Sequence, residues 1–263
     1  MVSQPDRKRG RGGALVASPV KAAAQKLGVA VTDRVDDLVG VGAELGVVVA
    51  YGRLIRPHVL DMLPMVNLHF SLLPRWRGAA PVERAVLAGD AVTGVCVMAL
   101  EEDLDTGPVY ASATLAIGVE ATVEELRSEL ADLGTTMLLD LLEGGLPEGR
   151  PQEGEPTYAT KLGPSEHRLD WSRPAADVHR VVRLGQAWTT FRGKRLKVLR
   201  ARLASPDAQR PAPPAEIDAD RLLVAAGGGA LELVEVQPEG KAPQAAAAWR
   251  NGARPVPGER MGE

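Results

Sequence analysis

The chain alternates short continuous apolar runs with longer stretches whose apolar residues recur every three or four positions. Leu45 to Tyr51 is a β-branched run closed by Gly52. It predicts a strand buried on both faces, as in a parallel sheet. Met65 to Phe70, Thr93 to Leu100 and Val109 to Ile117 predict three more strands. Between them, Arg53 to Met62 predicts a short helix, and Pro81 suits the first turn of a helix reaching Leu87. Thr122 and Glu125 form a capping-box pattern at the head of a helix running towards Leu142, with Gly144 as its stop. Strands alternating with helices predict an α/β layer around a mostly parallel sheet.

Beyond Gly144 the pattern changes. Pro147, Gly149, Pro151, Gly154 and Pro156 mark a linker. Ala175 to Leu184 keeps helical spacing, and Thr189 to Leu203 alternates like a strand pair turning near Gly193. Leu222 to Ala226, Gly227 to Gly229 and Leu231 to Val236 predict a hairpin with a glycine turn. Several short strands in so little chain predict a small β-barrel. We therefore expect a domain over 1–150, a linker over 151–168 and a second domain over 169–263.

Composition changes this picture in three places. Aromatic residues are 3% of the chain, so the core should be built mainly of Ala, Val and Leu. The single Cys96 excludes a disulfide framework and lies among apolar residues, as a packing residue would. The formal charge of -3 hides an asymmetry: Glu83 to Glu155 holds 16 acidic residues against 3 basic, whereas Arg168 to Arg202 holds 10 basic against 2 acidic. A dense basic block that shares its sign with the basic N-terminus suits a polyanion such as a nucleic acid. Arg192, Lys194 and Lys197 in that block are candidate phosphate contacts. The apolar stretch after Arg7 to Arg11 is broken at Pro19 and Lys21, so it does not read as a signal peptide. No apolar run approaches membrane-spanning length. We expect a cytoplasmic, monomeric protein.

The candidate chemistry sits at the end of the second strand and in the loop after it, the natural place for a site in an open α/β sheet. Asn67 and His69 are two apart, so a strand points both to one face. An imidazole transfers protons near neutral pH, and an amide donates to a developing oxyanion. The acidic turn from Glu101 to Asp105 follows a neighbouring strand, and a carboxylate there would orient the ring and favour imidazolium. A hydrolase built on Ser71 lacks a Gly-x-Ser-x-Gly elbow. Metal binding by His58, His69 or Asp105 lacks a repeated ligand spacing, so no metal is expected. No Gly-x-Gly-x-x-Gly follows a strand, against a dinucleotide cofactor.

Asn67 to Pro81, read as Asn-Leu-His-Phe-Ser-Leu-Leu-Pro-Arg-Trp-Arg-Gly-Ala-Ala-Pro, together with Leu104 to Pro108, resembles the formyltransferase family that uses 10-formyltetrahydrofolate. Ser71 to Pro81 is similar to the branch acting on methionyl-tRNA. The resemblance continues through Gln4 to Arg7, Ser18 to Lys21, Val49 to Gly52, Arg168 to Trp171, Ala187 to Phe191 and Val236 to Lys241. It implies a Rossmann-like catalytic domain, an OB-like barrel that contacts tRNA, and 10-formyltetrahydrofolate as formyl donor. The family's catalytic Asn, His and Asp fall on Asn67, His69 and Asp105. Its folate loop falls on Ser71, Leu72, Leu73 and Pro74, and its basic tRNA loop on Arg7 to Gly12, with Arg11 in the Gly-Arg-Gly position. The implied activity is formylation of initiator methionyl-tRNA for translation initiation. A different amine acceptor and a non-catalytic tRNA- or folate-binding paralogue are the alternatives. The family plan opens with a strand, a glycine turn and a helix ahead of the Gln-Pro-Asp-Arg segment, so the first strand–helix unit is expected to be missing here. Val181 to Trp188 also reads shorter than the family's Pro-rich segment at that place.

Overall fold

A computed structural model describes residues 1–9, 13–208 and 212–263 of the chain. In chain order its first half contains β1 (Arg7–Arg9), β2 (Ala14–Val16), α1 (Pro19–Lys26), β3 (Gly46–Val49), α2 (Pro57–Leu60), β4 (Met65–His69) and β5 (Arg77–Gly78). Then come α3 (Pro81–Ala88), β6 (Val92–Ala99), β7 (Val109–Ala116), α4 (Val123–Gly144) and β8 (Tyr158–Ala159). The remainder holds α5 (Ala175–Val182), β9 (Trp188–Phe191), β10 (Lys194–Leu203), β11 (Ile217–Asp218), β12 (Leu223–Ala225), β13 (Ala230–Pro238), β14 (Gln244–Ala245) and α6 (Ala246–Ala253). These residues form two compact units. One comprises Met1–Ala79, Val95–Ala113 and Leu133–Thr157; the other comprises Ala80–Gly94, Thr114–Asp132 and Tyr158–Glu263.

The first unit is organised on a sheet of order β3-β4-β6-β7. β3 and β4 pair in parallel, while β4 and β6 pair antiparallel with Asn67 opposite Met98 and His69 opposite Cys96. The α/β class expected from the pattern holds, but the sheet is mixed rather than mostly parallel. β4 has a strand on each side, and all five of its residues are buried. β3 does not match its expectation: Val47 and Val49 are 44% and 51% exposed. Among the described strands it pairs with β4 alone, so its apolar run covers one face only. Its inward residue Val48 packs with Ile55, Val59, Leu63 and Met65. α2 is shorter than the expected helix because Pro57 starts it, with its fixed φ suited to a first turn. α4 approaches the sheet closely at Gly134, where an added Cβ would meet Leu68 Cδ2 at 2.9 Å.

The second unit has its own core. Its sheet runs β11-β12-β13-β10-β9, with β14 also on β13. The predicted turn at Gly193 and the glycine hairpin between β12 and β13 are both present. β10 is bulged against β13 around Arg200, which bends the long strand as a small β-domain requires. α5 and α6 bury Val178, Val182 and Trp249 in this core. The scarce aromatics concentrate here: Trp171 is buried, and Phe191 meets Trp249 edge-on at 5.2 Å. Both cores are nonetheless built mainly of Ala, Val and Leu, as expected, with these aromatics added in the second unit.

Candidate active site

β4 alternates as the pattern predicts, and Asn67 and His69 share a face. Burying an amide and an imidazole costs free energy unless both are hydrogen-bonded. The partner of both is Asp105, in the turn between β6 and β7. Asn67 Nδ2 lies 3.5 Å from Asp105 Oδ1, and His69 Nδ1 lies 3.5 Å from Oδ2. Asn67, His69 and Asp105 are all at least nine-tenths buried. Asp105 is held in the left-handed region at φ +51°, which Asp tolerates better than most residues. The turn is tight: an added Cβ on Gly107 would sit 2.1 Å from the Ala99 carbonyl oxygen, so only glycine fits.

The loop after β4 closes over the strand end. Its Gly78 N–H donates to Asp105 Oδ2 at 2.7 Å, and the Trp76 carbonyl lies 2.8 Å from His69 Nε2. Both ring nitrogens of His69 therefore face acceptors. A carbonyl cannot donate, so Nε2 is the ring nitrogen placed to donate to Trp76, while Nδ1 faces the Asp105 carboxylate. Trp76 sits at φ +63°, a strained conformation for a bulky residue; its N–H is held by Thr157 Oγ1 at 2.9 Å. Ser71 is fully buried and donates its hydroxyl to the Arg75 carbonyl at 2.6 Å. That bond shapes the loop and gives Ser71 no role as a nucleophile on His69. Leu72, Leu73 and Pro74 are half-buried and line the rest of the loop. Burial pushes the Cys96 thiol up, a little offset by the Leu73 backbone, which suits a packing cysteine.

Sequence reasoning missed Gln152. It lies in the Pro- and Gly-rich stretch read as a linker, and no spacing marks it. Its Nε2 donates to the carbonyls of Asp105 at 2.8 Å and Gly107 at 2.9 Å. Its Oε1 accepts from Arg77 Nε at 3.1 Å and Nη2 at 2.6 Å.

The basic candidates divide. Lys194 and Lys197 are exposed on β10, and Arg7 is exposed on β1. On the outer face of β9 and β10, Arg168 and Arg195 stack against Trp188, 5.6 and 4.4 Å from its ring centre. Arg192 is half-exposed, and its guanidinium already holds Glu259 at 2.6 and 2.9 Å and the carbonyls of Ala253 and Arg254. Arg11 lies outside the described residues. His58 pairs with Asp36 at 2.9 Å. Among the described residues, no group of three or more His, Cys, Asp or Glu is arranged to hold a metal ion, and no helix is long and apolar enough to cross a membrane.

An amide, an imidazole and a buried carboxylate gathered at one strand end can stabilise an oxyanion and pass protons, which is the chemistry of acyl-group transfer to an amine. Comparison with known proteins agrees. Residues 1–142 match the family described as formyl transferase, and residues 161–254 match the formyl transferase C-terminal domain. The chain belongs to the formyl transferase family. Within it, the methionyl-tRNA formyltransferase of Cereibacter sphaeroides is 42% identical over 257 residues, covering 91% of this chain and 83% of its own. Two solved structures share the fold. Methionyl-tRNA formyltransferase from Clostridium thermocellum has a TM-score of 0.59 at 17% identity, covering 75% of this chain and 94% of that one. The N-formyltransferase from Helicobacter canadensis, in complex with folinic acid and dTDP-3-aminofucose, has a TM-score of 0.65 at 13% identity, covering 88% and 87%.

Proposed function

We propose that this chain transfers the formyl group of 10-formyltetrahydrofolate to the α-amino group of methionyl-tRNA, producing formylmethionyl-tRNA for translation initiation. The observation that carries the reading is the junction of Asn67, His69 and Asp105 at one strand end, in a chain 42% identical to an enzyme of that name. An α-amino group with a pKa near about 8 is partly neutral at cellular pH, so the acceptor needs little activation. Its lone pair forms a bond to the formyl carbon, and the carbonyl oxygen takes up negative charge. Asn67 and imidazolium His69 stabilise that charge by donating hydrogen bonds. Asp105 holds the ring and relays the amine proton. The bond from the formyl carbon to N10 of the folate then breaks, and N10 leaves with a proton. Leu72, Leu73 and Pro74 supply an apolar wall, with Ser71 fixing the loop, as a flat folate ring requires.

In this reading, 1–150 is the catalytic domain, 151–168 the connection and 169–263 the tRNA-contacting domain. Arg7, Arg11, Arg192, Lys194 and Lys197 contact tRNA phosphates. The protein works as a cytoplasmic monomer. The test is formylation of methionyl-tRNA by the purified chain with 10-formyltetrahydrofolate, with dTDP-3-aminofucose as a competing acceptor. Formylmethionyl-tRNA as product supports the reading. A folded protein that makes none, or that formylates only the sugar, overturns it.

A further inference from the structure

We infer that Gln152 is a positioning residue for Asp105, and that the segment from Arg150 to Thr157 is part of the catalytic apparatus rather than a passive connection. The inference rests on the catalytic role proposed above for Asp105.

Gln152 uses both ends of its amide. The NH2 group donates to two carbonyls of one turn, those of Asp105 and Gly107, at 2.8 and 2.9 Å. The oxygen is gripped by the fork of Arg77 at 2.6 and 3.1 Å. Arg77 is followed by Gly78, whose N–H donates to the Asp105 carboxylate at 2.7 Å. The contacts therefore close a ring: Arg77 side chain to Gln152, Gln152 to the Asp105 main chain, and the Asp105 carboxylate back to the main chain beside Arg77. The ring fixes Asp105 at its backbone and at its carboxylate.

Asp105 needs such fixing. Its φ of +51° is a conformation an L-residue leaves readily when nothing holds it. Its useful oxygens stand 3.5 Å from both Asn67 and His69, where a small rotation of the turn would separate them. A misplacement of about 1 Å in a catalytic constellation costs roughly a hundredfold in rate. The segment is anchored at both ends. Arg150 exchanges backbone hydrogen bonds with Val109 at 2.8 and 2.9 Å. Thr157 receives the Trp76 and Arg77 N–H groups on its hydroxyl and carbonyl, both at 2.9 Å. Gln152 touches neither reacting group, so its effect passes through Asp105.

The test compares Gln152→Glu and Gln152→Leu, alone and combined with Asp105→Asn. Gln152→Glu keeps the volume and the Arg77 contact but loses both N–H donors, so it tests the grip on the turn even if Gln152→Leu does not fold. Each single variant should lower kcat for formyl transfer by about 10-fold to 100-fold, with KM for both substrates changed far less. In the Asp105→Asn background neither should cause a further loss. A kcat that falls only with the folded fraction, or losses that multiply with Asp105→Asn, would mean a structural role and overturn the inference. If the wild-type chain forms no formylmethionyl-tRNA, the functional reading fails, and a crystal structure of Gln152→Glu then decides this one. An Asp105 turn displaced from Gly78 and Asn67 supports it; an unmoved turn overturns it.

Discussion

In the proposed mechanism the chemistry turns on His69, whose ring nitrogens stand 2.8 Å from the Trp76 carbonyl and 3.5 Å from the Asp105 carboxylate. His69→Ala removes the imidazole and leaves Asp105 with Asn67 and the Gly78 N–H. Turnover should fall by about a hundredfold or more in a steady-state formylation assay; wild-type turnover in that variant would sink the assignment. His179 is a buried imidazole of another kind. Burial holds it below its ordinary range, outweighing the Glu120 carboxylate at 3.3 Å and the Ala201 carbonyl at 3.1 Å. The unfolded chain therefore binds that proton more readily than the folded one. The contribution is complete above about pH 6.5 and is lost as pH falls below it. The melting temperature should drop between pH 7.5 and 5.5, and His179→Gln should flatten the drop. Parallel curves for the two proteins would contradict this. Asn67 and His69 were legible from their spacing, since a strand must put them together. Asp105 was legible as one of several carboxylates in a turn. Gln152 was not legible, because nothing local distinguishes a ligand of a distant turn from a solvated linker amide.

Among the elements, α4 shows how far local rules reach. Thr122 and Glu125 form the expected box: the Thr122 hydroxyl accepts the Glu125 N–H at 3.2 Å, and the Glu125 carboxylate accepts the Thr122 N–H at 2.8 Å. The Thr122 N–H and the Thr122 hydroxyl, which donates at 2.9 Å, hold the Glu125 carboxyl below its usual range. Thr122→Ala should cost about 1 kcal/mol in urea unfolding, and an unchanged midpoint would discount the cap. The turn between β6 and β7 shows where local rules stop. Gly107 looks like any turn glycine, yet the Ala99 carbonyl lies where its Cβ would be. Gly107→Ala should cost about 3 kcal/mol by overpacking and carry activity down with it, since Asp105 shares the turn. A stable, active variant would show that the turn yields. β3 makes a related point: its run of valines announces a strand, but how many of its faces are covered depends on neighbours its own residues do not encode.

For the whole molecule, charge asymmetry was the first functional hint, and it sorts by element. On β10, Lys194 and Lys197 stay exposed, whereas Arg200 and Arg202 stand opposite Glu235 and Glu232 of β13. Lys194→Ala and Lys197→Ala should raise KM for methionyl-tRNA and lower its log–log salt slope by about 1 for each phosphate no longer neutralised; identical slopes would remove these lysines from the interface. The α/β class, the order of the main strands and helices from β3 to β10, the β-rich C-terminal part and the Asn-x-His pair were readable along the chain, because each rests on periodicity or local hydrogen bonding. That β4 and β6 run antiparallel, that Arg192 holds Glu259, and that a linker amide grips the Asp105 turn came only with the folded chain. Those outcomes depend on chain segments far apart in sequence, whose encounter is fixed by the sum of all the packing and not by any one stretch of it.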